Sequence, residues 1–139
     1  DLFRAKSLSV QVRLPEGTAP AVRGNFNDLQ QVLTNVLLHA RDAVSDGGNI
    51  WVSLSEEKDR AVIRVKDDGR GIAPEMILRI FEPLVTTKRG QGGTGRGLAI
   101  SRRIIDACDG EITAESSPGE GAEFSITLPR VERFVGSMQ

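Results

Sequence analysis

The sequence has one cysteine, no tyrosine and one tryptophan among its 139 residues. A single cysteine cannot form an internal disulfide or a zinc cluster, and this usage fits a reducing compartment. Positive and negative charges nearly balance, with a formal net charge of −1, so the strongly basic surface of nucleic-acid or membrane binding is not indicated. No apolar run approaches the roughly 18 residues of a membrane helix, and no N-terminal signal pattern occurs. We expect a cytoplasmic domain without a nucleic-acid partner or direct membrane contact.

The length suits one domain, which we place at residues 1–139. Within it we expect a folded core from about residue 6 to residue 129, and a frayed tail or linker at 130–139, where no pattern is clear. The chain begins with Asp1 and not with Met, so we expect that it could be cut from a longer protein. Internal repeats and low-complexity tracts do not occur.

Hydrophobic periodicity predicts the secondary structure. Apolar residues at three- and four-residue steps predict two long amphipathic helices, and alternating runs predict half-buried strands, with a short helix between. The first long helix starts at the N-cap Asn25, with Asp28 three residues later as in a capping box. We predict strands at 8–14, 21–23, 50–54, 61–65, 111–115 and 122–128, and helices from Asn25 to about 46–48, at 74–80 and at about 96–108.

Strands that are polar on one side form an antiparallel or mixed sheet with one covered face. The two long helices, each with one apolar stripe, are the natural cover, and the apolar stripe of the second includes Cys108. The predicted fold is therefore an α/β two-layer sandwich whose mixed, mostly antiparallel sheet is covered on one face by helices.

Asp67 ends a strand whose Ala61, Ile63 and Val65 point the same way, so its carboxylate faces the core side of the sheet. An unpaired carboxylate is costly to bury, so Asp67 either caps local backbone or receives a hydrogen bond from a ligand. A glycine turn, Gly69–Gly71, follows at once.

A polar stripe also runs along the first long helix. Such stripes are usually solvated, but amide, imidazole and carboxylate groups in one file could also line a ligand site. The stripe consists of Asp28, Gln31, Asn35, His39 and Asp42.

The glycine-rich stretch Gly90–Gly97 could bind phosphate. It lacks the Lys-Ser or Lys-Thr of a P-loop. It matches the G-x-G-x-x-G string of dinucleotide folds, but follows a long polar connection and not an apolar strand. What remains is a glycine loop entering a helix N-terminus, where free amides and the helix dipole attract anions.

In order and spacing, these motifs resemble the catalytic and ATP-binding domain of sensor histidine kinases, within the ATPase superfamily shared with gyrase and Hsp90. The resemblance covers about residues 6–129 and implies a Bergerat-type fold. The matching blocks are the N box Asn35–Ala40, the first glycine box Asp67–Gly71, the F box Phe81–Pro83, the second glycine box Gly93–Leu98, and a closing segment containing Gly110–Ser116, Gly119, Gly121 and Phe124.

The resemblance implies ATP and Mg²⁺ as cofactors. Asp67 would accept a hydrogen bond from the adenine amino group, Gly71 would let the base lie close, and 84–95 would form a lid. Asn35 and His39 would face the metal and the phosphates, and with Lys88 would be catalytic. Lys88 and Arg41 could neutralise phosphate charge or be solvated surface cations. The implied cofactor contacts are Asn35, His39, Arg41, Asp67, Gly69, Gly71, Ile72, Thr87, Lys88, Gly93, Thr94, Gly95, Gly97 and Leu98.

The sequence departs from the family pattern at three places. His39 stands where the family usually has a second N-box asparagine, and an imidazole is a poor replacement for an oxygen ligand of Mg²⁺. His39 could instead donate a hydrogen bond to a phosphate, bind the metal through water, or weaken the affinity for metal and ATP. Arg96 replaces a usual leucine, and Leu84–Val85 replace a usual pair of phenylalanines in the lid.

ATP-hydrolysing relatives carry a general-base glutamate where this chain has Asn35, and an amide cannot remove a proton.

The expected function is an incomplete protein-histidine kinase. The domain would bind Mg²⁺-ATP and donate the γ-phosphate to a histidine on a separate dimerisation domain of the same protein, with a response regulator downstream. The whole protein could be the membrane-bound sensor of which this is the cytoplasmic part. The alternative is a regulatory nucleotide-binding module in which His39 weakens or abolishes phosphotransfer.

Overall fold

The structure, a computed structural model, describes residues 7–17, 19–83 and 94–132, with only the backbone described at 94–97. The elements in chain order are β1 (Ser9–Arg13), β2 (Ala21–Val22), α1 (Phe26–Ala43), β3 (Asn49–Glu57), β4 (Arg60–Asp67), α2 (Pro74–Ile77), α3 (Thr94–Ala107), β5 (Glu111–Ser116) and β6 (Ala122–Val131).

The strands form a mixed sheet in the order β1-β3-β4-β6-β2, and β5 also pairs with β6. Among the described strands, only β1 and β3 pair in parallel; the β3–β4, β4–β6, β5–β6 and β2–β6 pairs are antiparallel. The predicted mixed, mostly antiparallel sheet is confirmed.

The hydrophobic core lies between the sheet and the helices α1 and α3, with a smaller contribution from the segment around α2. Apolar periodicity along α1 buries Val32, Val36 and Ala40, and Phe124 of β6 is fully buried opposite the helices. Among the described helices, none is long and apolar enough to cross a membrane.

The N-terminus of α1 confirms the predicted cap, because the Asn25 side chain accepts a hydrogen bond from the N–H of Asp28 at 3.1 Å. The helix ends at Ala43, earlier than predicted, and Val44 is an extended C-cap whose side chain is still buried. Val44 packs into the core although it lies beyond the end of the helix. The apolar pattern of the sequence therefore extends further than the helix itself.

The predicted half-burial of the first strand is wrong. All five residues of β1 are exposed, and Val10 and Val12 are 53% and 61% exposed. They pair in register with Ile50 and Val52, so they lie on the apolar face of the sheet. As an edge strand, β1 lies at the margin of the sheet, where its apolar side chains remain uncovered.

Three other boundaries in the structure differ from the predicted ones. The β3–β4 hairpin extends to Glu57 and Arg60, so its turn is shorter than predicted, with Lys58 in the left-handed region at φ 58°. The short helix α2 ends at Ile77. β6 continues through Val131, which pairs with Ala21, so residues 130–131 belong to the sheet and not to a tail.

Candidate functional site

Asp67 ends β4 with its side chain pointing into the protein, and the residue is 1% exposed. One carboxylate oxygen, Oδ1, accepts a hydrogen bond from the N–H of Gly69 at 2.8 Å. The other oxygen, Oδ2, is buried without a hydrogen-bond partner among the described residues. The backbone-cap interpretation of Asp67 is therefore confirmed for Oδ1, and a ligand contact at Oδ2 stays a prediction.

Burial raises the pKa of Asp67 above its ordinary value, while the backbone N–H groups of Gly69 and Ala122 act in the opposite direction. A buried carboxylate with one oxygen that lacks a hydrogen-bond partner destabilises the folded protein. It is consistent with a position kept for a ligand that donates a hydrogen bond.

The turn after Asp67 is fixed to the end of α1. The backbone N–H of Arg70 donates to the carbonyl of Ala43 at 3.1 Å, and the Arg70 guanidinium donates to the carbonyl of Asp42 at 2.9 Å. Next to it, the Asp68 carboxylate accepts hydrogen bonds from the backbone N–H and the side-chain amide of Asn49, both at 2.9 Å. The turn is therefore held by contacts distant in sequence.

The other side of the turn is bound to the β5–β6 connection. The Ser116 hydroxyl accepts from the N–H of Ile72 at 2.7 Å and donates to the carbonyl of Gly121 at 2.6 Å. The N–H of Gly121 donates to the carbonyl of Gly69 at 3.0 Å. The sequence predicts no specific role for Ser116. Its position at the end of β5, beside the glycines of the closing segment, was the available signal.

Gly71 has a structural reason to be glycine besides any ligand. Its φ is +77°, and a Cβ there would collide with the backbone carbonyl of Ser117. A side chain would therefore push the first glycine box away from the closing segment.

Asn35 lies on α1 facing α3, where its side-chain amide nitrogen donates to the Ser101 hydroxyl at 3.3 Å. Ser101 is fully buried, so this hydrogen bond joins the two helices inside the protein. The solvated-face interpretation of the polar stripe does not apply at this position.

His39 follows Asn35 by one helical turn and is partly buried. Its ring packs edge-to-face against Phe124, with centroids 5.1 Å apart and planes at 68°. Its Nδ1 is buried and has no hydrogen-bond partner among the described residues. Burial and then the charge of Arg70 lower the pKa of His39, against a smaller opposing effect of Asp42, so the imidazole is neutral near pH 7.

Phe81 of the F box continues this aromatic contact. It packs edge-to-face on Phe124 with centroids 6.2 Å apart, and the Arg102 guanidinium lies 5.9 Å from its ring centre. The aromatic group His39–Phe124–Phe81 therefore links α1, β6 and the start of the connection to α3. The sequence did not reveal this link, because its members are distant along the chain.

The other residues predicted to contact the cofactor lie in different parts of the structure. Thr87, Lys88 and Gly93 lie outside the described residues, as do most of the expected lid and the departures Leu84–Val85. Thr94, Gly95 and Gly97 form the first turn of α3. Ile72 and Leu98 are buried in the hydrophobic core. Arg41 is exposed and pairs with the adjacent Asp42 at 3.2 Å.

The predicted metal ligands suit Mg²⁺ poorly. Mg²⁺ requires oxygen ligands in near-ideal octahedral geometry. Asn35 can offer one amide oxygen, while its amide nitrogen bonds Ser101, and His39 can offer only nitrogen. Within the described ranges, no group of three or more His, Cys, Asp or Glu side chains could hold a metal ion.

Known proteins with the same fold and sequence pattern identify the family. The family described as histidine kinase-, DNA gyrase B- and HSP90-like ATPase matches residues 24–132. Sporulation kinase E of Bacillus subtilis is 43% identical over 111 residues, which are 79% of this chain and 15% of that protein. Sensor histidine kinase ZraS of Salmonella typhi is 40% identical over 131 residues, 93% of this chain and 28% of that protein. The chain thus spans less than a third of either relative.

Solved structures agree with this assignment. The nucleotide-free catalytic domain of histidine kinase ThkA has a TM-score of 0.77 and 28% identity, covering 88% of this chain and 79% of that one. Full-length ShkA in complex with AMPPNP has a TM-score of 0.77 and 28% identity, covering 91% of this chain and 26% of that one. The resemblance inferred from the sequence is confirmed: the chain belongs to the histidine kinase-, DNA gyrase B- and HSP90-like ATPase family, as a catalytic domain of the histidine kinase type.

Proposed function

We propose that this domain binds ATP beside Asp67 and positions its γ-phosphate for transfer to a histidine on a separate phosphoacceptor domain of the same protein. The observation that carries the proposal is the buried, unpartnered Oδ2 of Asp67. An exocyclic amine of adenine is a donor that would satisfy this oxygen, and the carboxylate would then read the base.

The ShkA structure supports the choice of nucleotide, since that protein was solved with AMPPNP at 28% identity to this chain. The first turn of α3 supports a phosphate position, because the free N–H groups of a helix N-terminus favour anions. Gly95 and Gly97 in that turn would let phosphate approach the backbone. Whether Lys88 and Arg41 also neutralise phosphate stays a prediction.

Phosphoryl donation, and not hydrolysis, fits Asn35. Its amide donates to buried Ser101 and has no proton-accepting nitrogen or carboxylate to activate water. Catalysis would then consist of positioning and electrostatic stabilisation for in-line attack by a nucleophile from outside the domain.

The nucleophile belongs to another part of the protein under this proposal. His39 is the only histidine in the chain and it packs against core Phe124. The named relatives are several times longer than the matched segment, which leaves room for a phosphoacceptor domain. A response regulator would receive the phosphoryl group from that domain.

Asp67→Asn tests adenine recognition. An amide can present its nitrogen to the base, and a hydrogen bond to a charged group contributes about 1.5–3 kcal/mol, so ATP affinity should fall roughly 10- to 150-fold. Isothermal titration calorimetry of AMPPNP binding measures the change. Asp59→Asn removes the same charge from a side chain that is 95% exposed in the β3–β4 turn, and it should leave affinity nearly unchanged. Equal affinity of Asp67→Asn and wild type would remove Asp67 from the nucleotide site.

The regulatory-module alternative has one structural observation in its favour, the poor fit of His39 to Mg²⁺. Transfer of labelled phosphate from ATP to an added phosphoacceptor domain separates the two functions. Nucleotide binding without transfer by wild type, together with transfer by His39→Asn, would identify a module that has lost phosphotransfer through this residue.

A further inference from the structure

Asp68, the residue between Asp67 and Gly69, is bound to the start of β3. Its two carboxylate oxygens accept hydrogen bonds from Asn49, Oδ1 from the backbone N–H and Oδ2 from the side-chain amide, both at 2.9 Å. The N–H of Asp68 donates in return to the Asn49 carbonyl at 3.2 Å. Three hydrogen bonds therefore join this pair, which we call the Asn49–Asp68 clamp.

The clamp continues the pairing of β3 with β4 beyond the end of the regular ladder. The last pair of that ladder is Ile50 with Asp67, where β4 ends. At the next position the side chains of Asn49 and Asp68 add their own hydrogen bonds to the backbone contact. Strand β3 therefore holds the first glycine box as well as β4.

Asp68 is also the middle residue of the turn that fixes the Asp67 carboxylate. The N–H of Gly69 donates to Asp67 Oδ1 across Asp68 at 2.8 Å. On the other side of the turn, a Cβ on Gly121 would collide with the Asp67 carbonyl and lie 3.1 Å from Asp68 Cα. Asp68 is thus held between β3 and the closing segment.

The position of this turn matters for the free oxygen of Asp67. A hydrogen bond weakens steeply when its donor and acceptor are misaligned, and a recognition group needs support from the groups around it. Asp67 Oδ2 is buried, so it cannot adjust freely to a displaced turn. Asp68 itself is exposed, and both of its oxygens are bound by Asn49, so its part in recognition is to support Asp67.

We propose that the Asn49–Asp68 clamp is a positioning element of the nucleotide site, which sets how strongly Asp67 distinguishes adenine from a base without the amino group. The inference rests on the proposed function, because it concerns the proposed contact between Asp67 and adenine. A clamp that only stabilised the fold would weaken the binding of both bases alike.

The test compares, by calorimetry, the affinities for ATP and for purine riboside triphosphate, which lacks the exocyclic amine. Wild type should prefer ATP roughly 10-fold or more, as expected for a hydrogen bond to a charged acceptor. In Asp68→Ala this ratio of affinities should fall on the order of 3- to 10-fold, the equivalent of one net hydrogen bond. Asp59→Ala removes a carboxylate that is 95% exposed and should leave the ratio unchanged.

Exchange of the two side chains separates a specific clamp from a general loss of stability. Asn49→Asp places a second carboxylate opposite Asp68, so the repulsion should lower the ratio. Combining Asn49→Asp with Asp68→Asn again places a donor opposite an acceptor and should return the ratio towards that of wild type. Urea unfolding of the same variants checks that each is folded under the conditions of the titration.

Three results would overturn the inference. An unchanged ratio in Asp68→Ala, whether or not both affinities fall, would show that the clamp is only structural. Failure of the double substitution to raise the ratio above that of Asn49→Asp would show that the pairing of these two residues does not position Asp67. Equal affinity of wild type for the two nucleotides would contradict the adenine contact of Asp67 itself, and the inference with it.

Discussion

At the scale of single residues, Ser116 is one of the contacts that hold the two glycine turns of the site together. Its hydroxyl accepts from Ile72 N–H and donates to the Gly121 carbonyl, one on each side. Gly121 has φ +74°, and a Cβ there would collide with the Asp67 carbonyl. The orientation of Asp67 thus depends on the closing segment as well as on its own strand.

Ser116→Ala should lower both stability and nucleotide affinity. It leaves the N–H of Ile72 and the carbonyl of Gly121 without their partner, which costs about 1–3 kcal/mol for a buried donor. Urea unfolding measures stability, and calorimetry with AMPPNP measures affinity. The exposed neighbour Ser117→Ala serves as the matched control and should change neither. A Ser116→Ala protein as stable as wild type would show that these hydrogen bonds do not support the turn.

At the scale of elements, α1 depends on a local capping signal at its start. Asn25→Ala removes the side-chain acceptor of the Asp28 N–H, so the protein should lose ~1 kcal/mol of unfolding free energy, as typical N-caps do. Asn27→Ala, an exposed substitution in the same turn, should be neutral or slightly stabilising because alanine favours helix. Urea unfolding curves of both variants against wild type provide the measurement. A larger loss for Asn27→Ala than for Asn25→Ala would contradict the assignment of the cap.

Sequence patterns predicted what depends on neighbours along the chain. The N-cap of α1, the β3–β4 and β5–β6 hairpins and the inward direction of Asp67 follow from local signals of this kind. The end of β6 could not be predicted, because Val131 is extended by pairing with distant Ala21.

The candidate site was predictable only in part for the same reason. Motif order identified Asp67 and the glycine boxes, and alternation predicted that the Asp67 carboxylate points inward. The partner of Asn35, buried Ser101, lies on another helix, and the ring beneath His39 lies on another strand. Contacts of this kind depend on how elements pack, which a single sequence pattern does not contain.

At the scale of the whole molecule, the helices cover only part of the apolar sheet face. The central strands bury Val65 and Phe124, which are 1% and 0% exposed. Val10 and Val12 on β1 lie on the apolar face but remain more than half exposed. Alternation in the sequence was the same in both places, so burial depends on the position of the helices and not on the strand pattern.

This difference predicts contrasting effects of one substitution at two places in the sheet. Val65→Thr buries a hydroxyl among apolar side chains and should cost about 1–3 kcal/mol of unfolding free energy. Val12→Thr changes an exposed edge residue and should alter stability by no more than about 0.5 kcal/mol. Val65 and Val12 both lie in strands, so the substitution changes strand propensity equally at the two positions. The two positions differ in whether the helices cover the side chain. Urea unfolding of the two variants gives the comparison. If Val12→Thr destabilised the protein as much as Val65→Thr, the exposed position of Val12 would be contradicted. The side chains of β1 would then have to be covered in solution and belong to the hydrophobic core.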